Sequence, residues 1–346
     1  MTIMIGAMTG TSMDGLDLCL AGFIEPRPNE FKYDIIDSIS ISYSKSLKTE
    51  LRNAHLLSAT ELLVLDRKFG SWCAEQILLF SSKTNRVQGI AFHGSTVFHQ
   101  PSKNLSFQLG NPEIMAQLTQ LPIIANFRNP DLNLGGRGAP LVPFGDAFLF
   151  NSYSACLNLG GFANYSESID GRRIASDVSF CNFIMDQYAR REGIDFDHSG
   201  QLAASGTLIP ELFRVLNKKM ESYNDSGIAL TREWIEAEIN PLFTDDKTED
   251  ILHTCCEHIG YQVFQRIRSK ENLLITGGGA YNHYLVSRID HYTGVKTQTA
   301  PKRLIEMKEA LIFAFLGWMR LQNRVNCLSS VTGARADHST GSIYSN

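Results

Sequence analysis

The chain has no Walker A loop. No lysine follows the glycines of its first glycine-rich stretch, Met8-Thr9-Gly10-Thr11-Ser12-Met13-Asp14-Gly15. It has no strand–GxGxxG–helix unit either, which makes a dinucleotide enzyme a poor fit. Nine histidines include no H-E-x-x-H or other compact ligand spacing, so no intrinsic zinc is expected. Ser12 lacks both a G-x-S-x-G setting and an assignable histidine partner, which removes the obvious serine nucleophile. The longest apolar run, Ala310 to Met319, is about half a bilayer crossing. No basic region precedes an apolar block at the start, so a secreted chain is not expected. A net charge of −4, with no Lys/Arg cluster among aromatics, argues against a nucleic-acid surface. The seven cysteines are odd in number and scattered, and Cys255-Cys256 is adjacent rather than ligand-spaced. They read as reduced, mostly buried thiols in a cytoplasm. The acids between Glu233 and Asp250 read as a solvated loop.

What is present fits two domains, since 346 residues with 43% hydrophobic content exceed one comfortable core. Leu16, Leu18 and Leu20 follow the strand period, and Phe31 to Tyr43 reads as a third strand. A helix-rich stretch from Leu51 to Ser82 follows, with Leu56, Leu63, Phe69, Trp72 and Ile77 marking its apolar faces. Val87 to Phe92 is a buried strand that ends at His93-Gly94-Ser95-Thr96, and Asn111-Pro112 starts a helix. The cycle then restarts. Ala155 to Leu159 runs into Gly160-Gly161, and Ile169 to Ser176 is a strand ending at Asp177. Helical patterns follow at Phe183 to Arg191 and Leu208 to Met220. Leu273 to Thr276 opens into Gly277-Gly278-Gly279, and a helix spans roughly Tyr284 to His291. Glu309 stands near the start of a helix that is apolar almost all round, hence buried on both sides. Two strand–glycine-loop units, each delivering a carboxylate, predict an α/β protein of two lobes facing a cleft.

Glycines directly after strands let backbone amides approach phosphates, which singles out Gly10 to Gly15 and Gly160-Gly161 through Asn164. Asp14 is placed to hold a hydrated metal ion beside the first loop. Gly277-Gly278-Gly279-Ala280 leaves room for a flat ring such as adenosine. Asp177 is a candidate to orient or deprotonate an attacking oxygen, with a local cap as the alternative; Asn182 is itself a plausible helix cap. Arg128 and Asp131 form an ion-pair candidate, and the arginine also matches a substrate carboxylate. His93 and His99 are open between ligand contact and ordinary loop roles.

Several longer segments extend these signals: Gly10-Thr11-Ser12-Met13-Asp14-Gly15, His93 through Pro101, Phe107 through Pro112, and Asn126-Phe127-Arg128. Gly135 through Pro143, Leu157 through Asn164, Gly277 through Asn282, Lys308-Glu309-Ala310 and Val331-Thr332-Gly333-Ala334 complete the set. Together they resemble the 1,6-anhydro-N-acetylmuramic acid kinases, bacterial cell-wall recycling enzymes of the sugar kinase, actin and Hsp70 superfamily. The resemblance implies a two-lobed actin-like (ribonuclease H-like) ATPase fold with a central interlobe cleft. It sets the first lobe at residues 1–128 plus 331–346 and the second at 129–330. It implies ATP and Mg²⁺ as cofactors, with Gly10, Thr11, Ser12, Asp14, Gly15, Gly160, Gly161, Asn164 and Gly277 to Ala280 binding them. The implied catalytic residues are Asp177, Arg128 and Glu309. The sugar is expected against His93, Gly94, Ser95, Asn126, Arg128, Asp131, Arg137 and Glu309. A cytoplasmic homodimer acting on a small amino sugar follows by the same analogy.

The departures cluster at the chemistry. The family's F-D-T-G-P-G-N reads Ser176-Asp177-Val178-Ser179-Phe180-Cys181-Asn182 here, with two glycines gone. H-G-Q-T becomes His93-Gly94-Ser95-Thr96, D-F-R becomes Asn126-Phe127-Arg128, and G-G-Q-G becomes Gly135-Gly136-Arg137-Gly138. S-T-G-R-E reads Ala229-Leu230-Thr231-Arg232-Glu233. These changes leave open a kinase for a different anhydro- or amino sugar, or a weakly catalytic nucleotide-binding homologue.

Overall fold

The computed structural model describes residues 1–10, 14–81, 86–224, 230–243, 245–268 and 271–345. They divide into two compact units, Met1–Phe150 with Met307–Asn346, and Asn151–Glu306. The expected lobe ends at 128/129 and 330/331 differ from these divisions. Helices Arg128–Asn133 and Val142–Leu149, and most of helix Lys302–Leu321, belong with the first unit. The last carries apolar residues that pack on the first unit's sheet.

That sheet begins with β1 (Thr2–Thr9), β2 (Gly15–Arg27) and β3 (Glu30–Ser42), an antiparallel meander. The chain continues through β4 (Val87–Phe92), the hairpin β5 (Ser95–Gln100) and β6 (Leu105–Leu109), and β7 (Ile123–Ala125). β4 lies parallel to β1, and β7 parallel to β4. The short strand Ser342–Tyr344 closes the edge, giving the order C-terminal strand-β7-β4-β1-β2-β3. β1 is buried along nearly its whole length because both faces are covered. On one face, helix Ala59–Ser81 inserts Leu65, Phe69, Cys73 and Ile77 among Ile5, Leu18 and Ile90. Fully burying each such aliphatic or aromatic side chain stabilises by about 1.5–3 kcal/mol. Leu56 and Leu63, expected on that apolar face, are 72% and 60% exposed. Apolarity there does not coincide with the inward four-residue stripe.

On the other face lies helix Lys302–Leu321, with Phe315 and Trp318 set among Phe23, Phe31 and Phe144. The helix touches the strands because the facing residues are small. A Cβ on Gly6 would stand 1.7 Å from the Ala310 carbonyl oxygen, so Gly6→Ala cannot fit without moving the helix. The helix starts just after Pro301, so Glu309 stands well inside it rather than near its start.

The second unit is built from β8 (Ala155–Leu159), β9 (Phe162–Ile169), β10 (Arg172–Phe180), β11 (Leu273–Thr276) and β12 (Gln298–Thr299). Its order is β10-β9-β8-β11-β12, antiparallel through β8, β9 and β10 and parallel through β8, β11 and β12. Each unit therefore carries a three-strand meander extended by two parallel strands. This is the ribonuclease H-like topology of the actin-like class, present twice. β10 does not end at Asp177: it runs on to Phe180 through a register shift between Asp177 and Ser179. The acidic stretch expected as a loop is largely turns of helix between Arg232 and Leu242, followed by helix Thr248–Arg266. All seven cysteines are free and buried.

Candidate active site

In the first unit β4 hands the chain to His93, which is buried and set edge-on to Phe313. Gly94 has φ +76°, and a Cβ there would stand 2.6 Å from the Leu109 carbonyl oxygen, so the turn into β5 demands glycine. The His93 Nδ1 is 2.9 Å from the Gly94 carbonyl oxygen and Nε2 is 3.0 Å from Arg128 Nη2. A carbonyl only accepts and a guanidinium only donates, so the ring is neutral with its proton on Nδ1. Burial, and then the Arg128 charge, push His93 down to about 3. Arg128 also donates from Nη1 to the Gly138 carbonyl at 3.1 Å. Burial lowers the guanidinium to about 10, opposed by the charge of Glu309. The Glu309 side chain is open to water, so its loss of solvation is partial. That loss still raises its pKa; Asp17 and Asp146 add to the effect, and Lys308 and Arg128 oppose it.

Other residues expected at the sugar have different partners. Asp131 is 0% exposed and forms no ion pair with Arg128. Its Oδ2 accepts from the Gly138 N–H at 2.7 Å and its Oδ1 from the Thr332 hydroxyl at 2.6 Å. A fully buried carboxylate cannot touch a substrate in this conformation; Asp131 braces the loop that carries Gly138. Asn126 adopts φ 56° and donates to the Tyr344 hydroxyl at 2.7 Å. Arg137 donates from Nη2 to the Val331 carbonyl at 2.9 Å. Ser95 is buried opposite Leu109 in the hairpin.

Around the first glycine loop, Thr11 and Ser12 lie outside the described residues. Asp14 is 68% exposed and ion-paired with Lys48. An exposed carboxylate fits contact with a cation through water better than direct caging. Gly15 serves strand packing, since a Cβ there would stand 2.4 Å from the Ile41 carbonyl oxygen. Lys48, on helix Lys45–Arg52, left no signal in the sequence. Nor did the sequence show that Lys308, seen there only as part of Lys308-Glu309-Ala310, pairs in the interior with Asp146, Nζ to Oδ1 at 2.8 Å.

In the second unit strand register assembles the site. Thr276 stands opposite Asn158, Asn158 opposite Asn164, and Asn164 opposite Asp177. Directly paired residues share a sheet face with Cβ atoms about 4.5–5.5 Å apart, so four polar side chains form one row across four strands. The bulge at Val178 follows immediately, a device that re-aims side chains. Asp177 Oδ2 accepts from the Leu230 N–H at 2.9 Å. Val178, Ser179, Phe180 and Cys181, which replace the family's glycine-containing run, are all 0% exposed. The altered residues therefore pack inward.

Three loops meet at the end of this row. Asn182 is the first helical residue rather than the cap, which is Cys181, and its Nδ2 donates to the Leu159 carbonyl at 3.1 Å. The backbone N–H groups of Asn182 and Phe183 donate to the carbonyls of Gly160 and Gly161. The start of this helix is thus tied to the loop rather than free for phosphate. Gly277 and Gly279 would each drive a Cβ to 2.7 Å from Leu159 atoms, and Ala280 is 1% exposed. Gly161 and Gly278 differ: both are exposed, and their nearest neighbours would lie 3.9 and 3.4 Å from an added Cβ. These two fit the close approach of a nucleotide. Asp186, on the same helix as Asn182, is pushed up to about 6 by burial and by Asp195, against Arg190.

The family model described as anhydro-N-acetylmuramic acid kinase matches residues 2–346. A protein of that name from Actinobacillus pleuropneumoniae serotype 5b (strain L20) is 32% identical over 98% of both chains. One from Vibrio vulnificus (strain CMCP6) is 30% identical over 99% of this chain and 98% of its own. Among solved structures, component A of (R)-2-hydroxyglutaryl-CoA dehydratase from Acidaminococcus fermentans matches with TM-score 0.48 and 11% identity, covering 91% of this chain and 96% of its own. A ROK family glucokinase from Streptomyces griseus in complex with glucose and AMPPNP gives TM-score 0.44 and 11% identity over 91% and 98%. A match along the whole chain, joined by full-length relatives of one name, decides the assignment: the chain belongs to the anhydro-N-acetylmuramic acid kinase family, a family of sugar kinases.

Proposed function

We propose that the chain opens the 1,6-anhydro ring of 1,6-anhydro-N-acetylmuramic acid with water and phosphorylates O6, yielding N-acetylmuramic acid 6-phosphate and ADP. The observation that supports this most is the polar row from Thr276 to Asp177, with the exposed glycines Gly161 and Gly278 in the loops that follow its strands β8 and β11. Asp177 accepts a proton from water as the water oxygen bonds C1. The C1–O6 bond breaks, and O6 bonds the γ-phosphorus of ATP as the bond to the bridging β-phosphate oxygen breaks. Arg128, held by His93 and the Gly138 carbonyl, presents its guanidinium to the sugar carboxylate. Glu309, whose side chain is open to water and lies within the field of the Arg128 charge, orients a sugar hydroxyl.

Asn164, Gly160 and Gly161 are assigned to the phosphates, Gly277 and Gly278 to adenosine, and Asp14 to Mg²⁺ through water. When bound, Mg²⁺ neutralises charge on the transferred phosphoryl group. We assign the enzyme to the cytoplasm as a homodimer, on the family resemblance. No helix among the described residues is long and apolar enough to cross a membrane. Sedimentation at micromolar concentration tests the dimer, and a monomer alone would refute it.

A coupled ADP assay across a small panel of sugars, run in heavy-oxygen water, tests the reaction. The anhydro-sugar should give turnover, a phosphate on O6 and one solvent oxygen at C1. ADP release with a plain amino sugar and none with the anhydro-sugar would overturn the proposal.

A further inference from the structure

We propose that Asp131, Cys327 and His338 form a site for a thiophilic divalent cation of the zinc type. The residues come from distant parts of the sequence, which is why no ligand spacing shows there. Cys327 and His338 face each other in an isolated antiparallel bridge and exchange both backbone hydrogen bonds, at 3.1 and 3.2 Å. Their side chains therefore leave the bridge on the same side, toward the fully buried Asp131.

The separations suit a bound ion. Cys327 Sγ is 3.4 Å and His338 Nε2 3.5 Å from Asp131 Oδ1, and all three ligand atoms lie within 4.8 Å of one another. Tetrahedral zinc with its usual Zn–S, Zn–N and Zn–O lengths sets ligand atoms about 3.3–3.6 Å apart. The proton positions agree. His338 Nδ1 is 3.0 Å from the Ala336 carbonyl, which only accepts, so Nδ1 carries the hydrogen. In the neutral ring Nε2 then presents a lone pair to the carboxylate. That nitrogen is buried, in a side chain only 10% exposed, and has no hydrogen-bond partner among the described residues. Donation of the second ring N–H to a carbonyl is the usual support of a metal-bound histidine. Asp131 is held in turn by Gly138 and Thr332.

The donor set selects the ion. Sulfur, imidazole nitrogen and one carboxylate oxygen suit zinc or cobalt, whereas Mg²⁺ and Ca²⁺ take oxygen shells. Binding expels the Cys327 thiol proton, so the thiolate bonds the cation and one proton enters solution. Such an ion would clamp the segment from Cys327 to His338 onto the residue that braces Gly138, and through its carbonyl Arg128. The competing state is a metal-free imidazolium–carboxylate pair, with the thiol donating to Asp131.

The test is a Zn²⁺ titration of the full chain, stripped with chelator, against a chromophoric competitor and without nucleotide or sugar. The wild type should take up one Zn²⁺ per chain. Co²⁺ should give a thiolate-to-cobalt charge-transfer band and tetrahedral d–d bands, with the charge-transfer band absent in Cys327→Ser. His338→Gln keeps every thiol and should lose on the order of 100-fold or more in affinity, at least the upper range seen for loss of a supporting partner. Circular dichroism establishes that each variant is folded, and the wild-type stoichiometry stands independently of both. No stoichiometric uptake by the wild type, or equal affinity in folded His338→Gln, overturns the site. Neither outcome touches the kinase reaction.

Discussion

Arg128 donates to the unprotonated Nε2 of His93 across 3.0 Å, so the imidazole acts as a hydrogen-bond acceptor for a cation. A second proton on that ring would set two positive charges face to face. His93 is thus a neutral support for the arginine.

The first prediction follows from that support. His93 is held down to about 3 in the folded chain against 6.5 when unfolded. Its contribution to stability is present above pH 6.5 and is lost as pH falls toward about 3. His258, buried and also near 3, adds a loss of the same sign. Unfolding free energy measured against pH should fall over that window, less steeply in His93→Gln. An imidazole NMR signal for His93 that titrates near 6.5 would refute the assignment.

Asp177→Asn keeps an acceptor for the Leu230 N–H but removes the carboxylate proposed as the base. It should lower kcat by about 10²-fold or more with ATP affinity little changed. Turnover within a few-fold of wild type on the anhydro-sugar would make Asp177 structural.

Asp186 predicts the opposite pH sign from His93. Its carboxyl is raised from 3.8 to about 6, so the stability it contributes is present below 3.8 and lost as pH rises through about 6. Asp186→Asn should melt higher than wild type at pH 7.5 and no higher at pH 3.5. Equal melting temperatures at both values would show that Asp186 titrates normally.

The Lys308–Asp146 pair is buried on both sides, at 5% exposure each. Removing one partner strands a charge and should cost about 3–5 kcal/mol, whereas an apolar double replacement should cost much less. Urea unfolding of Asp146→Leu, Lys308→Met and the double variant measures this coupling. Additive losses would show that the pair is not coupled.

Asp14→Ala should weaken Mg-ATP binding in calorimetry while leaving the fold intact, since the side chain is 68% exposed. Equal affinities would return Asp14 to a surface role as the partner of Lys48.

Much of the fold was readable because strand and helix signals are local. Val87–Phe92, Ala155–Leu159 and Leu273–Thr276 are strands with the expected ends, and Asn111 caps its helix by accepting from the Ile114 N–H at 3.0 Å. What failed depended on contacts between distant residues. Asp131 has the composition of an ion-pair partner, but Thr332 and Gly138 reach it first. Leu63 has the apolarity of a core residue and the wrong angular position on its helix. The row from Thr276 to Asp177 exists only once register is set, and Asn158 and Thr276 carry no local mark of it.

The discontinuity of the first unit has a consequence for synthesis. Residues 1–150 leave the ribosome long before helix Lys302–Leu321 exists, whereas residues 151–306 are contiguous. Until that helix emerges, Phe23, Phe31 and Phe144 lack Phe315 and Trp318 as neighbours. A nascent chain stalled before Lys302 therefore exposes an aromatic surface to chaperones, and the half translated first becomes the half completed last.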